Sequence, residues 1–227
     1  MESEKIDEDF EFFLEKFGEP TQKIEATKQQ IEAYRKVLPD KLLHYWQYVG
    51  FSGFKEGLFW ITNPAEFDGI IEEFLAGTEF ENYDNYHVIG RSAYGTLYLW
   101  GERTGDSLEI IPHLNWIKTK QGEEEEIKNG NPNRAIQNFF AVQKPKSVDI
   151  KVQSKLLFPK VVKHHGIVGK DEVMVFTPYL FMGGEKSPEK MAKENLHIFL
   201  QIISDINQPE IVDMASMVGN VRKEFGE

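Results

Sequence analysis

Residues 86–111 read YHVIGRSAYGTLYLWGERTGDSLEII, and this stretch decides the fold class. Three short runs, 87–93, 96–101 and 107–111, have strand composition, and Tyr94-Gly95 and Thr104-Gly105-Asp106 supply turns between them. Runs so close together, joined by such short turns, predict an antiparallel meander. Alternation places Leu97 and Leu99 on one face of the middle strand and Tyr98 and Trp100 on the other. Large residues on both faces require cover on both sides, or a partner on one of them.

Upstream of the meander the period changes to that of helices. Ile6, Phe10, Phe13, Leu14 and Phe17 form an apolar stripe that Gly18-Glu19-Pro20 ends. A second helix is expected over 26–36. A third, over 40–49, begins after Pro39, stops at Gly50 and turns Leu42, Leu43, Trp46 and Val49 inward. Gly53 and Gly57 bracket a turn into a strand over 58–61. Asn63-Pro64 opens a helix through Ile70, Ile71, Phe74 and Leu75, which stops at Gly77. Downstream, residues 119–133 (TKQGEEEEIKNGNPN) are polar and mark a boundary. Beyond them the pattern predicts helices over 134–142, 152–165 and 188–206, a strand over 172–176, and a terminal helix within 208–225. The expected architecture is α+β. A domain of residues 1–118 carries a small antiparallel sheet flanked by helices. A polar linker, 119–133, leads to a mostly helical C-terminal module, 134–227.

The 227 residues include no cysteine, which excludes disulfides, thiol nucleophiles and thiolate metal sites. No apolar run approaches the ~20 residues of a membrane helix. The acidic N-terminus has no leading hydrophobic stretch, so a cytoplasmic protein is expected. Net charge is −11 and unevenly spread: −6 over residues 1–20, −8 over 51–115 and zero from 151 onward. Such a face repels nucleic acid and attracts basic partners.

A search for reactive constellations returns little. No two of His44, His87, His113, His164, His165 and His197 stand three or four residues apart, the spacing that lines metal ligands along a helix. No G-x-S-x-G elbow occurs. In Gly101-Glu-Arg-Thr-Gly105-Asp-Ser107, Asp106 stands where a phosphate-binding loop needs lysine, and a carboxylate there repels a nucleotide. Gly183-Gly184-Glu185-Lys186-Ser187 reads as a turn before a helix. The acids between 66 and 106 are dense enough to form an exposed face. No catalytic, cofactor-binding or metal-binding residue is expected.

The block from Leu38-Pro39 through Leu42-Leu43, Tyr45-Trp46, Gly50, Gly57-Leu58-Phe59-Trp60 and Asn63-Pro64 resembles the GAD-like domain family. Tyr86-His87-Val88-Ile89, Arg91-Ser92-Ala93, Gly95 and Leu97-Tyr98-Leu99-Trp100-Gly101-Glu102 continue the resemblance. Leu157-Phe158, Asp171-Glu172, Phe176, Pro178, Gly183-Gly184 and Asn195-Leu196 are similar to the C-terminal domain of immunity proteins against type VI secretion DNase effectors. That family carries Tyr-Gly after the Asp-Glu pair, whereas this chain has Val173-Met174-Val175. Residues 208–227 find no counterpart.

The resemblance implies a non-enzymatic protein that binds and neutralises a cognate toxin in the cytosol, with no cofactor and no direct contact to nucleic acid or membrane. With the charge segregation, it leads to an expected contact surface of Glu66, Asp68, Glu72, Glu73, Glu79, Glu81, Asp84, Glu102 and Asp106. Tyr83 and Tyr94, beside turns, are the expected aromatic anchors on a basic nuclease surface. Two other readings stay open. A ligand-sensing regulatory module would carry a deep apolar pocket near Trp60 and Trp100. A carboxylate hydrolase would carry converging acids in a cleft, one with a perturbed pKa. A flat or convex acidic face separates immunity from both.

Overall fold

The computed structural model describes residues 5–206 and 208–213. The meander is present as β3 (Tyr86–Ser92), β4 (Leu97–Gly101) and β5 (Gly105–Ile111), each antiparallel to the next. β1 (Gly53–Phe54) and β2 (Phe59–Ile61) extend it on one side and β6 (Trp116–Thr119) on the other, giving the order β1-β2-β3-β4-β5-β6. The β3–β4 turn uses Gly95 at φ 81°, and a Cβ there would lie 3.1 Å from the Phe199 ring. Position 95 therefore needs glycine both for the turn and for the helix that packs across it.

Both sheet faces are covered, as their side chains require. Tyr98 and Trp100 point into a cluster formed with α1 (Glu8–Phe17), α3 (Asp40–Val49) and α6 (Pro132–Val142). Leu97 and Leu99 point the other way, against α4 (Asp68–Leu75) and α9 (Leu196–Ile206). The result is a three-layer sandwich, with short helices α2 (Lys28–Ala33), α5 (Glu124–Lys128), α7 (Pro145–Val148) and α8 (Phe158–His165) around it. Asp7 caps α1 by accepting from the Phe10 amide at 3.1 Å, and also accepts from the Tyr45 hydroxyl at 2.8 Å. Phe10, Phe13 and Phe17 are fully buried against the Phe59 and Phe140 rings; each such burial contributes about 2 kcal/mol. Phe139 and Phe140 of α6 thus enter the cluster that holds α1, although α6 follows the polar stretch 119–133.

The C-terminal part is mostly helical, yet three expectations there need correction. Residues 152–165 are not one helix. β7 (Lys151–Val152) and β8 (Lys155–Leu156) form a small hairpin whose turn residues Gln153 and Ser154 have positive φ, and α8 starts only at Phe158-Pro159. Residues 188–206 begin with a 3-10 turn and β10 (Met191–Asn195), which pairs antiparallel with β9 (Glu172–Phe176) before α9 starts. Of the expected terminal helix, residues 210–213 are instead a strand, β11 (Glu210–Asp213), parallel to β6 at the sheet edge. Residues 214–225 of that expectation lie outside the described residues. Among the described residues, no helix is long and apolar enough to cross a membrane.

Candidate functional site

The expected acids do not all share one surface. Phe67, Ile71, Phe74 and Leu75 anchor α4 on the sheet, which leaves Asp68, Glu72 and Glu73 outward. Asp68 and Glu72 meet Glu81, Asp84 and Glu102 around a groove of about 370 Å³ between α4 and the ends of β3 and β4. Among the described residues, no lysine or arginine lines this groove. His87, which the sequence reading did not assign to the face, stands in it with Nε2 3.1 Å from Glu102. Period-two alternation along β3 was the available signal, because it turns residue 87 away from its buried neighbours Tyr86 and Val88. The acidic face is therefore a shallow cleft, and neither flat nor convex.

Within the groove Asp84 has a structural task. Its side chain is almost wholly buried and accepts from the Arg103 and Thr104 amides and the Thr104 hydroxyl, at 2.8–3.2 Å, which holds the β4–β5 turn. Glu81 accepts from the Gly77 amide at 2.8 Å just past α4. Tyr83 is 46% exposed, donates to Glu124 at 3.2 Å and lies under the Arg103 guanidinium. Glu79 is exposed, outside the groove lining. Glu73 faces α9, accepting from Gln201 and Ser204 at 2.7 and 2.9 Å.

Three further expected contact residues lie away from the groove. Tyr94 is buried rather than exposed, because the turn that carries it is covered by Phe158 and Phe176, and its hydroxyl donates to Asp149 at 2.8 Å. Asp106 is ion-paired with Lys120, which also reaches Glu109 at 3.2 Å. Burial works against the charge on Lys120, but Asp106 and Glu109 outweigh it and hold its pKa above the usual value. Glu66 is paired with Lys170 at 2.8 Å. Burial raises the Asp149 carboxyl, and that acid lies outside the acidic groove, accepting from the Phe158 amide at the start of α8. Trp60 and Trp100 are both buried at 1% exposure.

Near Glu66 a second polar cluster joins the two halves of the chain. Arg91 of β3 is fully buried against the Trp60 ring and donates to the carbonyls of Gly169 and Lys170 at 2.9 and 2.5 Å. Burial lowers its pKa to about 9, opposed by Asp171, Glu66 and Glu172, so it stays charged at neutral pH. Among the described residues, Glu66, Asp171 and His197 bring one ligand atom each within 4.8 Å of one another, close enough in principle for a metal ion. Lys170 and Arg91 already supply positive charge there. The sequence held one sign of this junction, a lone arginine inside an otherwise uncharged strand.

An open cleft lined by carboxylates is a surface suited to a basic partner. Residues 8–114 match the GAD-like domain, and residues 133–207 match the C-terminal domain of the type VI secretion system (T6SS) immunity protein Tdi1. The chain thus joins a GAD-like domain to a Tdi1-type C-terminal domain, the combination expected of a T6SS immunity protein that neutralises a cognate effector rather than catalysing a reaction. Its fold is that of Atu4351 from Agrobacterium tumefaciens, whose crystal structure aligns with a TM-score of 0.79 at 21% identity. That alignment covers 90% of this chain and 92% of the other. No curated protein matches the chain.

Proposed function

We propose that this immunity protein neutralises a DNase effector in the cytosol by presenting its α4 groove to the effector's basic, phosphate-binding surface. The observation that carries the reading is the convergence of Asp68, Glu72, Glu81 and Glu102 on one groove whose lining, among the described residues, holds no lysine or arginine. A nuclease must hold phosphates with lysine and arginine, and carboxylates at similar spacing compete for the same groups. The charge of −8 over residues 51–115 also steers encounter, which matters when one toxin molecule suffices to damage a chromosome. In this reading residues 1–118 carry the groove, 119–133 link the parts, and 134–227 form the immunity-specific module. Neither cofactor, nucleic acid nor membrane takes part.

The test is Asp68→Lys combined with Glu72→Lys, two exposed positions on α4. Against the toxin domain encoded by the adjacent gene, association at low salt should slow by about tenfold or more, with a flatter salt dependence. Unchanged affinity and salt slope would remove the groove from the interface. An effector without nuclease activity would overturn the DNase assignment. Loss of a host cell despite co-expression of this protein would overturn the pairing itself.

A further inference from the structure

α9 is apolar on more than one side. Leu196, Phe199, Leu200 and Ile203 face the sheet and are buried, whereas Ile198, Ile202 and Ile206 stand outward at four-residue spacing, the first of them 62% exposed. Ile198 and Ile202 form one wall of a second groove, of about 350 Å³, with the 176–182 segment opposite and the exposed Met182 at its lip. Single exposed apolar side chains are ordinary, but a contiguous ridge beside a groove marks an interaction surface.

Glu194 in the groove lining and Asp205 on α9 place negative charge beside the ridge. Neither α9 nor the adjoining α4 contains a lysine or arginine. Asp205 and Glu194 are both exposed, and Glu73 joins α4 to α9 through Gln201 and Ser204. Gln201 and Ser204 turn toward α4, whereas Ile198 and Ile202 turn toward the 176–182 segment, so the ridge and the acidic groove are separate parts of the surface.

We propose that the α9 ridge is the apolar anchor site for the effector, and that it takes a segment with aliphatic or aromatic side chains flanked by lysine or arginine. The apolar side chains seat on Ile198, Ile202 and Met182, while the flanking bases meet Asp205 and Glu194. This inference rests on the immunity reading above. Carboxylates give fast and selective encounter, but long residence needs a desolvated apolar centre. Tyr94 cannot supply that centre, because it is buried. A second copy of this chain fits poorly, since a self-complementary contact would bring the same carboxylates against one another.

The experiment uses the full chain and a catalytically inactive form of the toxin domain encoded by the adjacent gene, with affinity measured by calorimetry. Ile198→Glu combined with Ile202→Glu should weaken binding by about thirtyfold or more, with an unchanged Tm for the free protein. The milder Ile198→Val with Ile202→Val should stay within about threefold of the parent. Equal affinity of the glutamate variant and the parent overturns the inference and leaves the immunity reading standing. Absence of binding by the parent overturns that reading, and this inference with it. If light scattering shows a parent dimer that the glutamate variant breaks, a second copy is the occupant. If a chain ending at Asp213 binds the toxin domain more tightly than the full chain, residues 214–227 are. Either result overturns the assignment to the effector.

Discussion

His113 shows how one buried side chain sets a pH limit. It follows β5 in the turn Pro112–Leu114 and packs against Tyr94 and Phe176, and its buried Nδ1 has no hydrogen-bond partner among the described residues. Burial pushes its imidazole down to about 4, against a backbone hydrogen bond at Tyr94 that favours the cation. The unfolded chain binds a proton near pH 6.5 and the folded chain does so only near 4, so this group's stabilisation is complete above about 6.5 and disappears as pH falls through that window. The loss amounts to at most about 3 kcal/mol. Urea midpoints at pH 7.5 and 4.5 should fall further for the parent than for His113→Gln; an equal fall in both would refute the assignment. Nothing in the sequence distinguished this histidine from the exposed His164, because both sit beside turn or helix ends and only packing separates them.

Among the elements, α3 and β10 mark the two ends of legibility. α3 was readable to the residue, because Pro39 starts it, Gly50 at φ 72° stops it, and the four expected inward residues are all buried. β10 was unreadable, because Met-Ala-Lys-Glu-Asn has helix-forming composition and only pairing with Val173–Phe176 on β9 makes it a strand. Its end is marked by Asn195, whose side chain accepts from the Ile198 amide at 3.1 Å and so caps α9. Asn195→Ala should therefore destabilise the protein by about 1 kcal/mol, read as a lower urea midpoint. No change in that midpoint would mean that tertiary packing alone sets the start of α9. β11 was hidden in the same way as β10, since Glu210–Asp213 becomes a strand by lying beside β6.

For the whole molecule, the junction at Arg91 decides whether the two matched segments behave as one unit. Its guanidinium bonds to the Gly169 and Lys170 carbonyls, Val168 donates to the Glu56 carbonyl at 2.9 Å, and α6 packs on α1. Arg91→Ala leaves buried carbonyls and nearby carboxylates without their cation, so a loss of about 3 kcal/mol is expected. Near-UV and far-UV signals should still melt together, at a lower Tm; two separated transitions would show that the halves fold independently. The sequence by itself determined the three-layer logic. Leu97 and Leu99 opposite Tyr98 and Trp100 demand cover on both faces or a partner on one, and the helix periods offer the cover. It also determined the negative charge, which is a sum and needs no coordinates. Which carboxylates share a groove, which are spent on Lys120, Lys170 or a turn, and that Tyr94 lies inside, were decided only by tertiary structure. Those outcomes depend on distances between residues far apart in the chain, and local propensity and period carry no information about such distances.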